Sequence, residues 1–351
     1  MSERAADPGA DLLDPLPEED EPELDRTLRP QRLADFVGQG AAKEQLQILV
    51  TAARRRGEPL EHCVFSGPPG LGKTTLAAIL AAEMGTQLRI TSGPAIEHQG
   101  ALASVLTNLG THHILFIDEI HRLQRTVEES LYPAMEDFTF DFVTGKGAGA
   151  QALRLQLKPF TVVGATTRLG LLSGPLRERF GAAFRLDFYA PDELGSILER
   201  SARLLGVTAD PDAVALLAQR SRGTPRIANR LLRRVRDFAE VRAAGRVTGA
   251  VTAEALAMLR IDALGLDAVD RRILRTVCAD FGGGPVGLET VAVSLAEEAQ
   301  TIEDVHEPYL IQAGLLARTP RGRVATPRAF RHLGLIPPPA DGAGAPTLFE
   351  P

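Results

Sequence analysis

Gly67-Pro68-Pro69-Gly70-Leu71-Gly72-Lys73-Thr74-Thr75 decides how this chain is read. The stretch has the spacing G-x-x-x-x-G-K-[ST], with Gly67, Gly72, Lys73 and Thr74 at the defining positions. Before it, Cys63-Val64-Phe65 is an apolar run that predicts a strand; after it, Thr75 to Met84 is rich in Ala and Leu and predicts a helix. A loop between strand and helix aims backbone N–H groups at the helix N-terminus, where a dense negative charge is favoured. Gly67, Gly70 and Gly72 let the backbone approach phosphates without a Cβ in the way. Lys73 has the reach for β- and γ-phosphates, the Thr74 hydroxyl suits Mg²⁺, and Thr75 carries the loop into the helix. A Gly-Pro turn with a chance lysine would not need these flanks. The expected ligands are a nucleoside triphosphate and Mg²⁺.

Composition narrows the class. The chain has 351 residues, room for two or three domains, with 44% hydrophobic and 24% charged residues as in ordinary soluble globular proteins. Its only cysteines, Cys63 and Cys278, make no disulfide framework and have no metal-ligand spacing. The N-terminus is acidic rather than basic-then-apolar, and no apolar run is long enough for a membrane span. A cytoplasmic, reducing compartment is expected, with no membrane partner. A formal net charge of −6 excludes a uniformly basic coat, so any nucleic-acid contact must come from local patches.

Along the chain, residues 1–25 are rich in Asp and Glu, lack apolar periodicity and predict a disordered acidic tail. Residues 337–351, rich in Pro, Gly and Ala, predict a second disordered tail. Three blocks lie between. Residues 26–190 alternate strand-like runs (Cys63–Ser66, Leu88–Thr91, Ile114–Ile117, Phe160–Gly164) with helical ones (Thr75–Met84, Gly100–Asn108), the pattern of an α/β domain with a buried parallel sheet. Residues 191–261 read as all-helical, with helices near Asp192–Leu205, Pro211–Ser221, Arg226–Arg242 and Thr252–Leu259. Residues 262–336 read as three short helices and a hairpin, Leu315–Thr319 and Arg323–Ala325 around a Pro-Arg-Gly turn. Within the first block, Phe138 to Val143 and Leu153 to Leu157 alternate around a Gly-rich turn, predicting an inserted β-hairpin.

Chemistry gathers at the ends of the strands. Ile114-Leu115-Phe116-Ile117 runs into Asp118-Glu119, and a carboxylate at a strand end beside a phosphate loop can hold Mg²⁺. Asp118 is assigned to the metal and Glu119 to the general base that polarises the attacking water. A neighbouring strand ends in Ala165-Thr166-Thr167-Arg168, whose hydroxyls can touch the γ-phosphate or that water. Arg177 and Arg179 follow on a turn or helix end, and Gly223-Thr224-Pro225-Arg226 opens a helix of the second block. Several arginines ordered after two nucleotide motifs suit charge stabilisation of phosphoryl transfer.

These motifs carry a resemblance. Thr27-Leu28-Arg29-Pro30 with Asp35-Phe36-Val37-Gly38-Gln39 resembles the adenine-pocket segment of AAA+ ATPases. Asp118-Glu119-Ile120-His121, Gly164-Ala165-Thr166-Thr167-Arg168 and Gly223-Thr224-Pro225-Arg226 resemble their second nucleotide motif and two sensors. Five further stretches resemble the RuvB family of bacterial Holliday-junction branch-migration motors. They are Thr91–Pro94, Leu131–Asp137 (LYPAMED), Arg226–Glu240, Gly282–Leu288 (GGGPVGL) and Thr319–Arg323 (TPRGR). The likeness runs from about residue 26 to 336 and implies an AAA+ P-loop domain, a helical lid and a winged-helix domain.

The resemblance also implies roles. Leu28 and Arg29 line the adenine site, and Thr166 or Thr167 is the first sensor. Glu136, Asp137 and Phe138 belong to the nucleotide site, and Tyr189 and Arg226 contact ATP from the domain boundary and the lid. Arg179, or less readily Arg177, is an arginine finger reaching a neighbour's γ-phosphate, which implies hydrolysis in a homohexameric ring. Arg318, Arg321 and Arg323 cluster on the hairpin without Asn or Gln companions, the make-up for phosphate contact without base reading, and the resemblance makes Arg318 and Arg323 DNA contacts. The preceding helix, about Thr301 to Ala313, carries Glu303, Asp304 and Glu307 and is poorly suited to a major groove. Along Arg226–Arg236, Arg230, Arg233 and Arg234 are expected on a solvated or subunit-interface face. In the family the inserted hairpin docks on RuvA, which makes Phe142, Val143, Leu153 and Leu155 the expected contacts; the RuvC resolvase is a further implied partner. An ATP-gated loading switch and a small-molecule P-loop kinase are the alternatives. The partner hairpin and the long signatures weigh against the first, and the helical lid followed by a DNA-type module weighs against the second.

Overall fold

The computed structural model describes residues 27–144 and 151–338. The acidic N-terminal tail, the C-terminal stretch from 339 onward and the Gly-rich turn of the inserted hairpin lie outside the described residues, as do the side chains of Phe142, Val143 and Leu153. The chain divides into two compact units, one ending at Thr252 and the other beginning at Ala253, within the helix Gly249–Met258.

The first unit is built on a five-stranded parallel sheet of β1 (Cys63–Ser66), β2 (Leu88–Ser92), β3 (Ile114–Asp118), β6 (Thr161–Thr166) and β7 (Ala182–Arg185), in the order β2-β3-β6-β1-β7. β1 and β6 are buried along their whole length, as central parallel strands must be when helices cover both faces. One face carries α1 (Gly40–Arg56) and α2 (Lys73–Met84); the other carries α3 (Gln99–Thr107) and α4 (Arg125–Glu136). Val64, Leu115, Ile117 and Val162 meet Leu102, Leu106, Val127 and Leu131 in the core of that second face. α1 was not anticipated, although Ala42, Leu46, Val50 and Ala53 form its buried stripe at helical spacing. β7 was missed because only Phe184 of its four residues is buried.

The inserted hairpin pairs β4 (Thr139–Thr144) with β5 (Gln151–Gln156), Phe142 opposite Leu153 and Val143 opposite Ala152. Phe140 is fully buried and Leu155 packs partly buried against the same core, so this stretch of the hairpin is anchored rather than free. A short helix α5 (Gly174–Glu178) precedes β7. Four helices follow: α6 (Pro191–Leu205), α7 (Pro211–Arg220), α8 (Pro225–Arg242) and α9 (Gly249–Met258), with a small ribbon of β8 (Thr208–Ala209) and β9 (Arg246–Val247). α8 buries Ile227, Leu231, Leu232, Val235 and Phe238 along one stripe. Arg230 falls beside that stripe and is itself buried at 8% exposure, which corrects the expectation of a solvated face.

The second unit holds α10 (Ala268–Arg275), α11 (Leu288–Leu295), a helical run through Ala299–Thr301, Ile302–His306 and Glu307–Gln312, then β10 (Leu316–Thr319), β11 (Gly322–Ala325) and a closing helix Pro327–His332. Ile273, Leu274, Val277, Leu310, Leu315 and Phe330 are among the residues of its own core. β10 and β11 form the expected hairpin, with Arg318 opposite Arg323. The GGGPVGL stretch adds a third edge: Val286 N donates to Arg323 O (3.0 Å) and Arg323 N to Val286 O (2.8 Å). Three short helices and a wing are present, the winged-helix arrangement.

His62 joins sheet to helix in the first unit. Its Nδ1 accepts from Val162 N of β6 (2.8 Å) and its Nε2 donates to Met135 O of α4 (2.9 Å). Only the neutral ring can do both, and burial holds its pKa below the ordinary 6.5. A lowered folded-state pKa gives stability that is complete above about pH 6.5 and is lost as pH falls below it. Unfolding in urea at pH 7 and pH 5 is therefore expected to show a smaller midpoint drop in His62→Gln than in the native chain. Equal drops would remove His62 as the cause.

Candidate nucleotide site and nucleic-acid interface

The strand order decides which side chains meet. β6 lies between β1 and β3, so the loop after β1, the carboxylates ending β3 and the hydroxyls ending β6 emerge side by side at one edge. Gly67 N donates to Thr166 O (3.1 Å), tying the loop to β6. Gly67, Gly70 and Gly72 have φ of 142°, 80° and 99°, conformations that L side chains rarely adopt. A Cβ on Gly67 would stand 2.5 Å from Leu186 O. α2 starts at Lys73, two residues earlier than its apolar pattern indicated, which puts Lys73, Thr74 and Thr75 in the first turn with their N–H groups unclaimed by the helix.

Lys73 is buried at 7% exposure, and its Nζ donates to Gly67 O (2.7 Å) and Pro68 O (2.9 Å). Burial pushes its pKa down to about 8; Asp118 and Glu119 oppose that shift and Arg226 adds to it. The loop lysine therefore feels both carboxylates and the lid arginine. Thr74 offers a hydroxyl and Asp118 a carboxylate, the all-oxygen donor set that fits Mg²⁺.

Glu119 is held in a left-handed conformation (φ 46°, ψ 44°), a strain of roughly 1–2 kcal/mol for a residue with a side chain. One side-chain and two backbone acceptors fix the chain there: Glu119 N donates to Asp118 Oδ1 (3.0 Å), Gly93 N to Asp118 O (2.7 Å) and Arg122 N to Glu119 O (2.8 Å). A Cβ at Gly93 would stand 2.5 Å from Glu119 O, which explains the glycine of the Thr91–Pro94 stretch. Glu119 Oε2 accepts from Thr167 Oγ1 (3.3 Å) and lies 3.2 Å from His121 Nδ1. His121 in turn lies 2.9 Å from Thr166 Oγ1. Asp118, Glu119, Thr166 and Thr167 are thus brought together. His121 is a member that sequence reasoning passed over, although it stands two residues beyond Glu119 in the same motif.

The residues expected at the adenine site form a second layer. Leu28 is buried and its carbonyl accepts from Arg200 of α6 (3.3 Å), while Arg29 is half-buried beside it. Gln39 bonds twice to the Asp187 backbone (2.6 and 3.1 Å). Tyr189 is buried at the start of the helical part; its hydroxyl donates to Leu71 O of the loop (3.2 Å) and its N–H to Gly223 O (2.9 Å). Burial raises its pKa, so it stays a donor. Arg226 stands against Gly70, where an added Cβ would meet its own Cβ at 3.2 Å. Loop, boundary tyrosine and lid arginine converge.

Arg179 is engaged elsewhere. It caps α5, its Nη2 lies 3.1 Å from Glu136 Oε1, and its guanidinium sits 4.1 Å from the Tyr132 ring centroid. Glu136 is therefore a partner of Arg179, and Phe138 packs its ring on Phe160 (5.9 Å). Asp137 is exposed at the end of α4. Arg177, in the last turn of α5, is exposed.

The wing arginines divide. Arg321 is exposed at the turn; Arg318, with 58% of its side chain exposed, lies 2.8 Å from Glu303 Oε1. Arg323 is only 12% exposed and donates through Nε and Nη2 to Glu307 Oε2 (3.1 and 2.8 Å). The acidic helix that looked unfit for a groove is thus the anchor of the wing. Among the described residues, no helix is long and apolar enough to cross a membrane.

Comparison with known proteins agrees with this arrangement. Family models match three consecutive segments: the "Holliday junction DNA helicase RuvB P-loop domain" at 28–186, the "RuvB AAA lid domain" at 189–262 and the "RuvB C-terminal winged helix domain" at 263–334. The Holliday junction branch migration complex subunit RuvB of Acidothermus cellulolyticus is 57% identical over 99% of this chain and 94% of its own length. That of Dehalococcoides mccartyi is 58% identical over 90% of each. A solved Thermotoga maritima RuvB Holliday junction branch migration motor superposes with a TM-score of 0.82 at 50% identity, over 89% of this chain and 99% of that one. With its P-loop domain, helical lid and winged helix matched in order, the chain belongs to the RuvB family.

Proposed function

We propose that this chain is the ATP-hydrolysing motor of a branch-migration complex, moving the arms of Holliday junctions in recombination and repair. The observation that carries it is the convergence of Lys73, Asp118, Glu119, Thr166 and Thr167 at one sheet edge, capped by Tyr189 and Arg226 of the helical part. Backbone N–H groups of residues 67–75 and Lys73 would bind the triphosphate, and Thr74 and Asp118 would hold Mg²⁺, which neutralises charge on the phosphates. Glu119 would polarise the attacking water, and Thr167, bonded to Glu119, would sense the γ-phosphate. Because Tyr189 touches both the loop and the Gly223 turn, loss of the γ-phosphate would be felt by the helical lid.

Arg179, held by Tyr132 and Glu136, would act on a neighbouring subunit's nucleotide within a homohexameric ring, as the likeness to the RuvB family implies. Arg318 and Arg321 would touch DNA phosphates without reading bases, while Arg323 holds the wing to Glu307. A RuvA-type protein would dock on the hairpin of β4 and β5, beyond the anchored Phe140 and Leu155; a RuvC-type resolvase and a cytoplasmic setting complete the reading.

Glu119→Gln is expected to bind ATP normally and lose hydrolysis at least a hundredfold, whereas Lys73→Ala loses binding. Mixing Arg179→Ala with Glu119→Gln subunits should recover turnover, because each supplies what the other lacks. An assay across mixing ratios that shows no recovery contradicts a shared site. At the wing, Arg318→Ala and Arg321→Ala should weaken DNA binding alike across sequences and each lower the salt slope by about 1. Arg323→Ala should instead lower the melting temperature, since leaving Glu307 buried without its partner costs about 3–5 kcal/mol. An unchanged salt slope in Arg321→Ala would move the DNA site away from the wing.

A further inference from the structure

Arg179 is held by the neighbouring helix as well as by its own turn. α5 has five residues, too few to stand alone, so its ends are set by what they dock on. At the N-terminal end Ser173 accepts from Leu176 N (3.2 Å) and donates to Glu128 Oε1. Tyr132 donates to the same Glu128 oxygen (2.5 Å) and lies 3.3 Å from Ser173 Oγ. At the C-terminal end Arg179 lies over the Tyr132 ring, with Nη1 donating to Pro175 O (2.8 Å) and Nη2 beside Glu136. Glu128, Tyr132 and Glu136 fall at i, i+4 and i+8 of α4, one stripe facing the whole of α5. Among the described residues, no acceptor meets the buried Arg179 Nε.

A guanidinium stacks through its face and donates in its plane. A phosphate therefore competes with Glu136 for Arg179 but does not compete with Tyr132. We propose that Tyr132 is a positioning residue for hydrolysis. Its ring is the platform on which Arg179 stays stacked while the guanidinium edge passes from Glu136 to a γ-phosphate held by a second copy of this chain. Glu128 and Ser173 fix the platform, which gives the Tyr of the LYPAMED stretch a chemical reason. The inference rests on Arg179 acting in trans.

The test replaces Tyr132 with phenylalanine and then with progressively fluorinated phenylalanines, which keep the ring's shape while draining its π face. The expected result is a stepwise fall in kcat of the assembled protein, about three- to thirtyfold across the series. With Tyr132→Phe as the reference, because it already lacks the hydroxyl bond to Glu128, melting temperature and ATP affinity of the separate subunits should not move along the fluorinated series, and added Glu119→Gln subunits should restore turnover. A kcat indifferent to fluorination overturns the proposal. So does a fall that Glu119→Gln subunits do not rescue, because it would place the effect in the subunit's own site. Tyr132→Leu should lose at least as much as the most fluorinated ring, and should cost nothing further in an Arg179→Ala background. Arg179→Ala mixed with Glu119→Gln is the control: failure of that rescue removes the trans finger itself, separately from the role of Tyr132.

Discussion

Everything at the nucleotide site depends on the position of β6 between β1 and β3. Parallel strands present their C-terminal ends at one edge, and the chain-order jump β3-β6-β1 brings Asp118-Glu119, Thr166-Thr167 and Gly67–Thr75 to the same place. The register is fixed by bonds at that edge, Gly67 N to Thr166 O and Leu186 N to Ser66 O (2.8 Å). A shift of one residue would turn Thr166 out of the core and carry the loop away from Glu119. The strain at Glu119 is tolerated because β3, Gly93 and Arg122 hold the backbone on both sides.

Charge is handled in the same spirit throughout. Lys73, Arg179, Arg318 and Arg323 all have anchors within their own unit: loop carbonyls, Glu136 with Tyr132, Glu303, and Glu307. An arginine on a long flexible stem loses about 2 kcal/mol of rotamer freedom when it is fixed. Fixing it beforehand means that a phosphate arriving later has less ordering to do. The degree of burial separates the roles: Arg323 and Glu307 form an interior pair that holds the wing, whereas Arg318 keeps most of its side chain in solvent.

Much of this was legible in the sequence. The glycine loop, the apolar strands ending in Asp118 and Thr166, the inserted hairpin and the wing each have a local signature, and each forms where its pattern lies. Other features have no local signature. β7 is a short edge strand with one buried residue, so its apolar signal is weak. His121 and Tyr132 act through neighbours far away in sequence, Thr166 and Arg179. Arg230 and Arg323 look like surface charges until the chain folds, because nothing in their immediate sequence says which face is covered. The acidic helix 302–307 was read by its charge alone, and its true partners lie on the hairpin that follows.

The most direct measurement is dissociation of a synthetic four-way DNA junction by the purified protein, with and without a RuvA-type partner, in ATP and in a non-hydrolysable analogue. A branch-migration motor dissociates the junction only with ATP hydrolysis, and does so far faster with the partner present. Stable binding to the junction with the partner present, but no dissociation in ATP, would contradict a motor and leave an ATP-gated loading switch on the same nucleotide site.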